Sequence, residues 1–105
     1  LDTINLYKLI TVLINNDEFL HIRAYLYEFA AILKLADSAH KEALHYIRLS
    51  IKNKPRASSY IFEIKLLRLM GRHEEAGNLI EIFSKNAAKD PRKYLAYRNI
   101  IKSLQ

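Results

Sequence analysis

The sequence predicts an all-α domain of five or six antiparallel helices, and three observations carry that expectation. Only two Gly and two Pro occur in 105 residues, too few for the frequent turns of an all-β protein. Apolar residues recur at three- and four-residue spacing along the chain, and no strand pattern interrupts them. Helix start and stop signals divide the sequence into six segments of similar length. With 50% of its residues hydrophobic, the chain has material for one core, and its length suits a single domain over residues 1–105.

Each element follows from its own signals. A first, flanking helix is expected over residues 2–15, with Leu6, Leu9, Ile10, Leu13 and Ile14 apolar and Asn15-Asn16 as its stop. Asp17 would cap a second helix over residues 18–35. Phe19, Ile22, Leu26, Phe29 and Leu33 form one of its stripes and Tyr25, Ile32 and Leu35 another, so it should pack on two sides. Asp37 or Ser38 would cap a third helix to about Asn53. This helix turns Ala39, Ala43, Tyr46, Ile47, Ser50 and Ile51 inward and Lys41, His45, Arg48 and Lys52 outward.

Pro55 would open a fourth helix over residues 56–70, and Gly71 would end it as a left-handed cap. A fifth helix over residues 73–87 points Ala76, Leu79, Ile80 and Phe83 inward and Glu74, Asn78, Glu81 and Lys85 outward, with Glu81 and Lys85 as an i,i+4 ion pair. Asp90-Pro91 reads as an N-cap and first helical residue, starting a capping helix to about Leu104. The domain thus divides into a flanking helix (1–16), a first hairpin (17–54), a second hairpin (55–89) and a capping helix (90–105).

The two hairpins are alike in sequence. Setting Ala43 on Ala76, an offset of 33 residues, also sets Tyr27 on Tyr60, Ser38 on Gly71, Glu42 on Glu75 and Ile47 on Ile80, while Pro55 and Pro91 close the two units. The run Leu69-Met70-Gly71-Arg72-His73-Glu74-Glu75-Ala76 resembles the tetratricopeptide turn, and Lys89-Asp90-Pro91 resembles the Asp-Pro that ends a unit in that family. The resemblance covers residues 24–91 and implies hairpins stacked in a right-handed array, with alternate helices lining a concave groove. It departs from the family at Ser38, where Gly is usual, and at Ala30-Ala31 and Glu63-Ile64, where Leu-Gly is expected. A narrower resemblance spans Tyr46, Pro55, Gly71-Arg72 and Asp90-Pro91. These residues look like the soluble C-terminal helical repeats of membrane-bound glycan polymerases and pilin-glycosylating oligosaccharide transferases.

Candidate chemistry is sparse. His40 and His45 are five residues apart and fall on different helix faces, His21 and His73 are isolated, and no metal is expected. Asp17-Glu18 and Glu74-Glu75 stand at helix starts, where carboxylates favour the positive end of the dipole. A Gly-rich phosphate loop, a nucleophile elbow and Cys are all missing, so catalytic residues and cofactors are not expected and the reading is non-enzymatic. Lack of Cys also excludes disulfides and leaves the compartment open between cytoplasm and bacterial periplasm. The longest apolar run, around Leu9–Ile14, is too short to cross a bilayer, and a chain opening on Leu1 suggests a piece of something longer.

Charge carries the strongest functional signal. Residues 1–53 hold six basic and six acidic side chains and residues 54–105 hold eleven and five, so the net charge of +6 lies wholly in the C-terminal half. Arg56, Lys65 and Arg68 fall on the fourth helix and Arg92, Lys93, Arg98 and Lys102 on the sixth, both groove helices under the resemblance. The leading expectation is a protein-interaction module that holds an acidic peptide or helix through Tyr25, Ile32, Ile61, Lys65, Arg68 and Arg98, the arginines as bidentate clamps. The alternatives are the soluble appendage of a membrane glycan transferase and a nucleic-acid binder, for which Tyr25, Tyr94 and Tyr97 would be the surface aromatics. Tyr27, Tyr46 and Tyr60 are expected in the core.

Overall fold

The computed structural model describes residues 3–90, 92 and 94–104, and these are helical with no strand among them. Six α-helices follow in order: α1 (Thr3–Ile14), α2 (Arg23–Ala36), α3 (His40–Asn53), α4 (Ala57–Leu69), α5 (His73–Lys89) and α6 (Tyr94–Leu104). None of them is long and apolar enough to cross a membrane. The chain forms two compact units, Leu1–Ser59 and Tyr60–Gln105.

In the first unit, α2 lies between α1 and α3. Ile10 and Ile14 of α1 are buried on Ala30, with Leu26 and Leu33 around them. On its other side Ala24 and Ala31 are buried where α3 packs, and Ala43, Leu44 and Ile47 are buried on α3. The alanines let both neighbours come close, since nothing beyond Cβ separates the backbones. Register is antiparallel. Lys34 reaches Glu42 at 2.9 Å near the turn, and Ser50 Oγ donates to the Ala24 carbonyl at 2.6 Å at the far end.

In the second unit, α4 and α5 form a hairpin in which the ring of Tyr60 meets that of the buried Phe83 edge-on, centroids 4.3 Å apart. Ile64, Leu66, Leu67, Ala76, Ile100 and Leu104 are buried in this unit as well, as is Glu63. The expected Glu81–Lys85 pair is present at 3.3 Å.

The two hairpin turns repeat bond for bond at the 33-residue offset. In the first, Ser38 N–H donates to Leu35 C=O and Ala39 N–H to Lys34 C=O; in the second, Gly71 N–H donates to Arg68 C=O and Arg72 N–H to Leu67 C=O. Each is a Schellman cap, which satisfies the last helical carbonyls and needs a left-handed residue at its centre. Ser38 has φ 60° and Gly71 φ 76°. The alanines that follow, Ala43 and Ala76, are both buried.

Several boundaries differ from the sequence expectation. The helix expected over residues 18–35 is broken into a 3-10 turn (Asp17–Ile22) and α2, because Phe19 (φ −105°, ψ 20°) and Ile22 (φ −112°, ψ 8°) leave the α region. Its cap is Asn16, whose side chain accepts from Glu18 N–H at 3.0 Å, while Asp17 pairs with Arg23 at 3.6 Å. Ala39 precedes α3 in place of Asp37 or Ser38, since the Schellman cap uses those residues to leave α2. Helix α4 starts at Ala57, two residues after Pro55. Asp90 closes a turn by accepting from Arg92 N–H, and α6 begins only at Tyr94; Pro91 and Lys93 lie outside the described residues.

Candidate functional site

Helix α2 has three faces and only two are covered. Leu26, Ala30 and Leu33 meet α1, and Ala24, Tyr27 and Ala31 lie on the side of α3. The third face carries Tyr25, Phe29, Ile32 and Ala36, at spacings of four, three and four that align them along the helix. On a helix packed only at the surface this side would be polar. Here Tyr25, Phe29 and Ile32 are instead 44%, 42% and 45% exposed.

Cations gather at one end of that face. The segment between α3 and α4 folds back so that the Arg56 guanidinium lies 3.9 Å from the centroid of the Tyr25 ring, and Lys54 Nζ lies 5.8 Å from it. Arg56 also pairs with Glu28, the acid flanking the stripe. The arrangement is a short apolar strip whose α2 N-terminal end is positive and whose own carboxylate is already engaged.

Of the six residues expected to bind a partner, Tyr25 and Ile32 are thus on one open strip in the first unit. Ile61, Lys65 and Arg68 share one stripe of α4, Ile61 half-buried and the two cations exposed, and Arg98 is exposed on α6. Arg68 is already engaged inside the second unit, where its Nη1 donates to the Leu104 carbonyl at 2.7 Å and caps the C-terminal end of α6. It is therefore not a free clamp. The side chains of Tyr94 and Tyr97 lie outside the described residues.

The sequence pattern puts Phe29 on the stripe of Leu26 and Leu33, apart from Tyr25 and Ile32, and leaves Lys54 and Arg56 out of the expected site. The position of Phe29, four after Tyr25 and three before Ile32, was the available signal for the first. Nothing local could reveal the second, because Arg56 reaches Glu28 and Tyr25 only after the chain has reversed at Ser38.

A separate cluster fills the space between α1, α2 and α3. Tyr7 and Tyr46 share a hydrogen bond between their hydroxyls, Tyr27 stacks on Tyr46 with centroids 6.3 Å apart, and His45 meets Tyr46 edge-on. Lys34 Nζ sits 4.0 Å above the Tyr7 ring, and its pKa is raised chiefly by the hydrogen bond to Glu42. Burial and the hydrogen bond shared with Tyr7 push the Tyr46 hydroxyl up to about 12. These groups hold three helices together, and in the shallow pocket beside them, lined by Thr3, Ile4, Tyr7, Leu33, Lys34 and Asp37, the lysine is paired with Glu42. No protein-family model, curated protein or solved structure matches this chain.

Proposed function

We propose that this chain is a non-catalytic recognition module of tetratricopeptide-like hairpins that holds an acidic segment of a partner protein. The observation that carries the reading is the open apolar strip Tyr25–Phe29–Ile32 with Lys54 and Arg56 at its end. Contiguous apolar surface rimmed by polar groups is costly to leave in water and marks a contact surface. The positive balance, with Lys65, Arg68 and Arg98 exposed, favours an acidic partner over a basic one. The matching turns at Ser38 and Gly71 support a repeated hairpin as the building unit.

Fluorescence anisotropy with three labelled probes tests the reading: an acidic peptide with interspersed leucines, its Lys-substituted counterpart, and a single-stranded oligonucleotide. The acidic peptide should bind at least about tenfold tighter than the basic one, and added salt should weaken it. Reversing Lys65 and Arg98 to Glu removes most of the net positive charge and should weaken it several-fold at low salt through the overall attraction, without loss of helical signal; Arg68 is spared because it caps α6. Binding of the oligonucleotide but of neither peptide, with a steep salt slope, would replace this reading by nucleic-acid recognition.

A further inference from the structure

Resting on that reading, we infer that the partner segment docks on the α2 strip as an amphipathic helix, with its acidic end over Lys54 and Arg56, and not as an extended peptide. Two observations point there. The first is backbone satisfaction. Recognition of an extended segment relies on hydrogen bonds to its main chain, and such bonds need free donors and acceptors on the receiving surface. Phe29 and Ile32 lie in the interior of α2, where N–H and C=O groups are bonded to one another along the helix, so this part of the strip offers side chains only, and Tyr25 alone stands in the first turn. An extended peptide laid there would bury its own amides unpaired, whereas a helix arrives with them satisfied.

The second observation is the form of the strip. Tyr25, Phe29 and Ile32 stand in a row about 10 Å long. That is two turns, the repeat over which a partner helix presents its own i, i+4, i+7 side chains. α2 is already packed by helices on its other two faces, through buried Ala30 on one and Ala24 and Ala31 on the other, and a third helix completes the same scheme. Charge then sets the direction of the acidic end. Lys54 is exposed, while Arg56, stacked on Tyr25, already neutralises Glu28, so a carboxylate at the Tyr25 end meets the charge of Lys54 and is not repelled by Glu28.

The test uses the whole chain and three synthetic peptides: a helix former with Leu at i, i+4 and i+7 and three Glu at one end, the same peptide with Pro at its centre, and the same with Lys for Glu. The acidic helix should bind, the Pro version should lose at least about tenfold, and Lys54→Glu should shift preference toward the Lys version. Phe29→Glu and, independently, Ile32→Glu should each abolish binding with unchanged circular dichroism. Equal binding of the Pro version overturns the inference. Full binding by both α2 variants with loss on reversing Lys65 and Arg98 also overturns it, yet leaves the recognition reading standing. Failure of the wild type to bind any of the three peptides removes both.

Discussion

The two hairpins carry the same turn on different interiors. Their Schellman caps coincide in every hydrogen bond at the 33-residue offset, yet the position that is Ser50 in the first hairpin is Phe83 in the second, and both are buried. In the first, α2 and α3 approach through alanines and Ser50 reaches across to the Ala24 carbonyl. In the second, a Phe fills the space and packs on Tyr60. A turn is satisfied locally, so it can recur unchanged; a core position answers to the helix opposite, so it cannot. The first hairpin closes tightly on its alanines, and Tyr25, Phe29 and Ile32 of α2 are left to the outside, where the candidate strip forms.

The comparison can be broken most severely at Phe83. Phe83→Ala removes a buried ring and should cost about 3–5 kcal/mol, enough to unfold much of the second unit, read as lost helical signal and a collapsed urea midpoint. Next is Gly71→Ala, which should cost about 1–2 kcal/mol. No atom lies within 4 Å of the added Cβ, so the whole effect is the left-handed backbone at φ 76°. Ser50→Ala should cost about 1 kcal/mol through one lost hydrogen bond, far less than its counterpart at position 83. Ser38→Gly sharpens the contrast in the opposite direction: relieving a non-Gly residue at φ 60° should raise stability by up to about 1 kcal/mol, detected as a higher melting temperature.

The last contrast is a pH dependence confined to the first unit. The Tyr46 hydroxyl, raised to about 12 by burial and by Tyr7, keeps its proton in the folded chain where an unfolded tyrosine has lost it. The unfolded state therefore binds fewer protons between the two values. Its stabilising contribution is complete below about pH 10 and is lost as pH rises toward 12. Denaturation in urea across that interval should show the decline in the wild type. Tyr46→Phe should lower stability at pH 8 through the lost bond to Tyr7 and flatten the decline; an unchanged slope would remove Tyr46 as its source.

Much of the fold could be read directly. Gly71 and the aligned Ser38 mark the ends of α2 and α4 because leaving a helix through a Schellman cap demands one left-handed residue, a requirement of the backbone alone. Ala43 and Ala76 mark the close approach of paired helices because side-chain volume is a property of the residue. The break at Phe19 and Ile22 was not legible, since each residue separately tolerates helix and the apolar spacing runs through it. The late start of α6 was also hidden: Asp90 serves a turn as readily as an N-cap, and both uses rest on the same side-chain acceptor.

The residue pattern by itself determined an all-helical chain, the two hairpin turns, the positive C-terminal half and the two apolar stripes of the second helix. Periodicity, turn chemistry and charge belong to residues and their near neighbours. Which α2 side stays open, the tertiary structure alone decided. A helix with three apolar faces has no preferred inside until α1 and α3 have taken two of them. Bringing Arg56 onto Tyr25 and Glu28, and Arg68 onto the end of α6, likewise depends on contacts 28 and 36 residues apart along the chain, which no local spacing encodes.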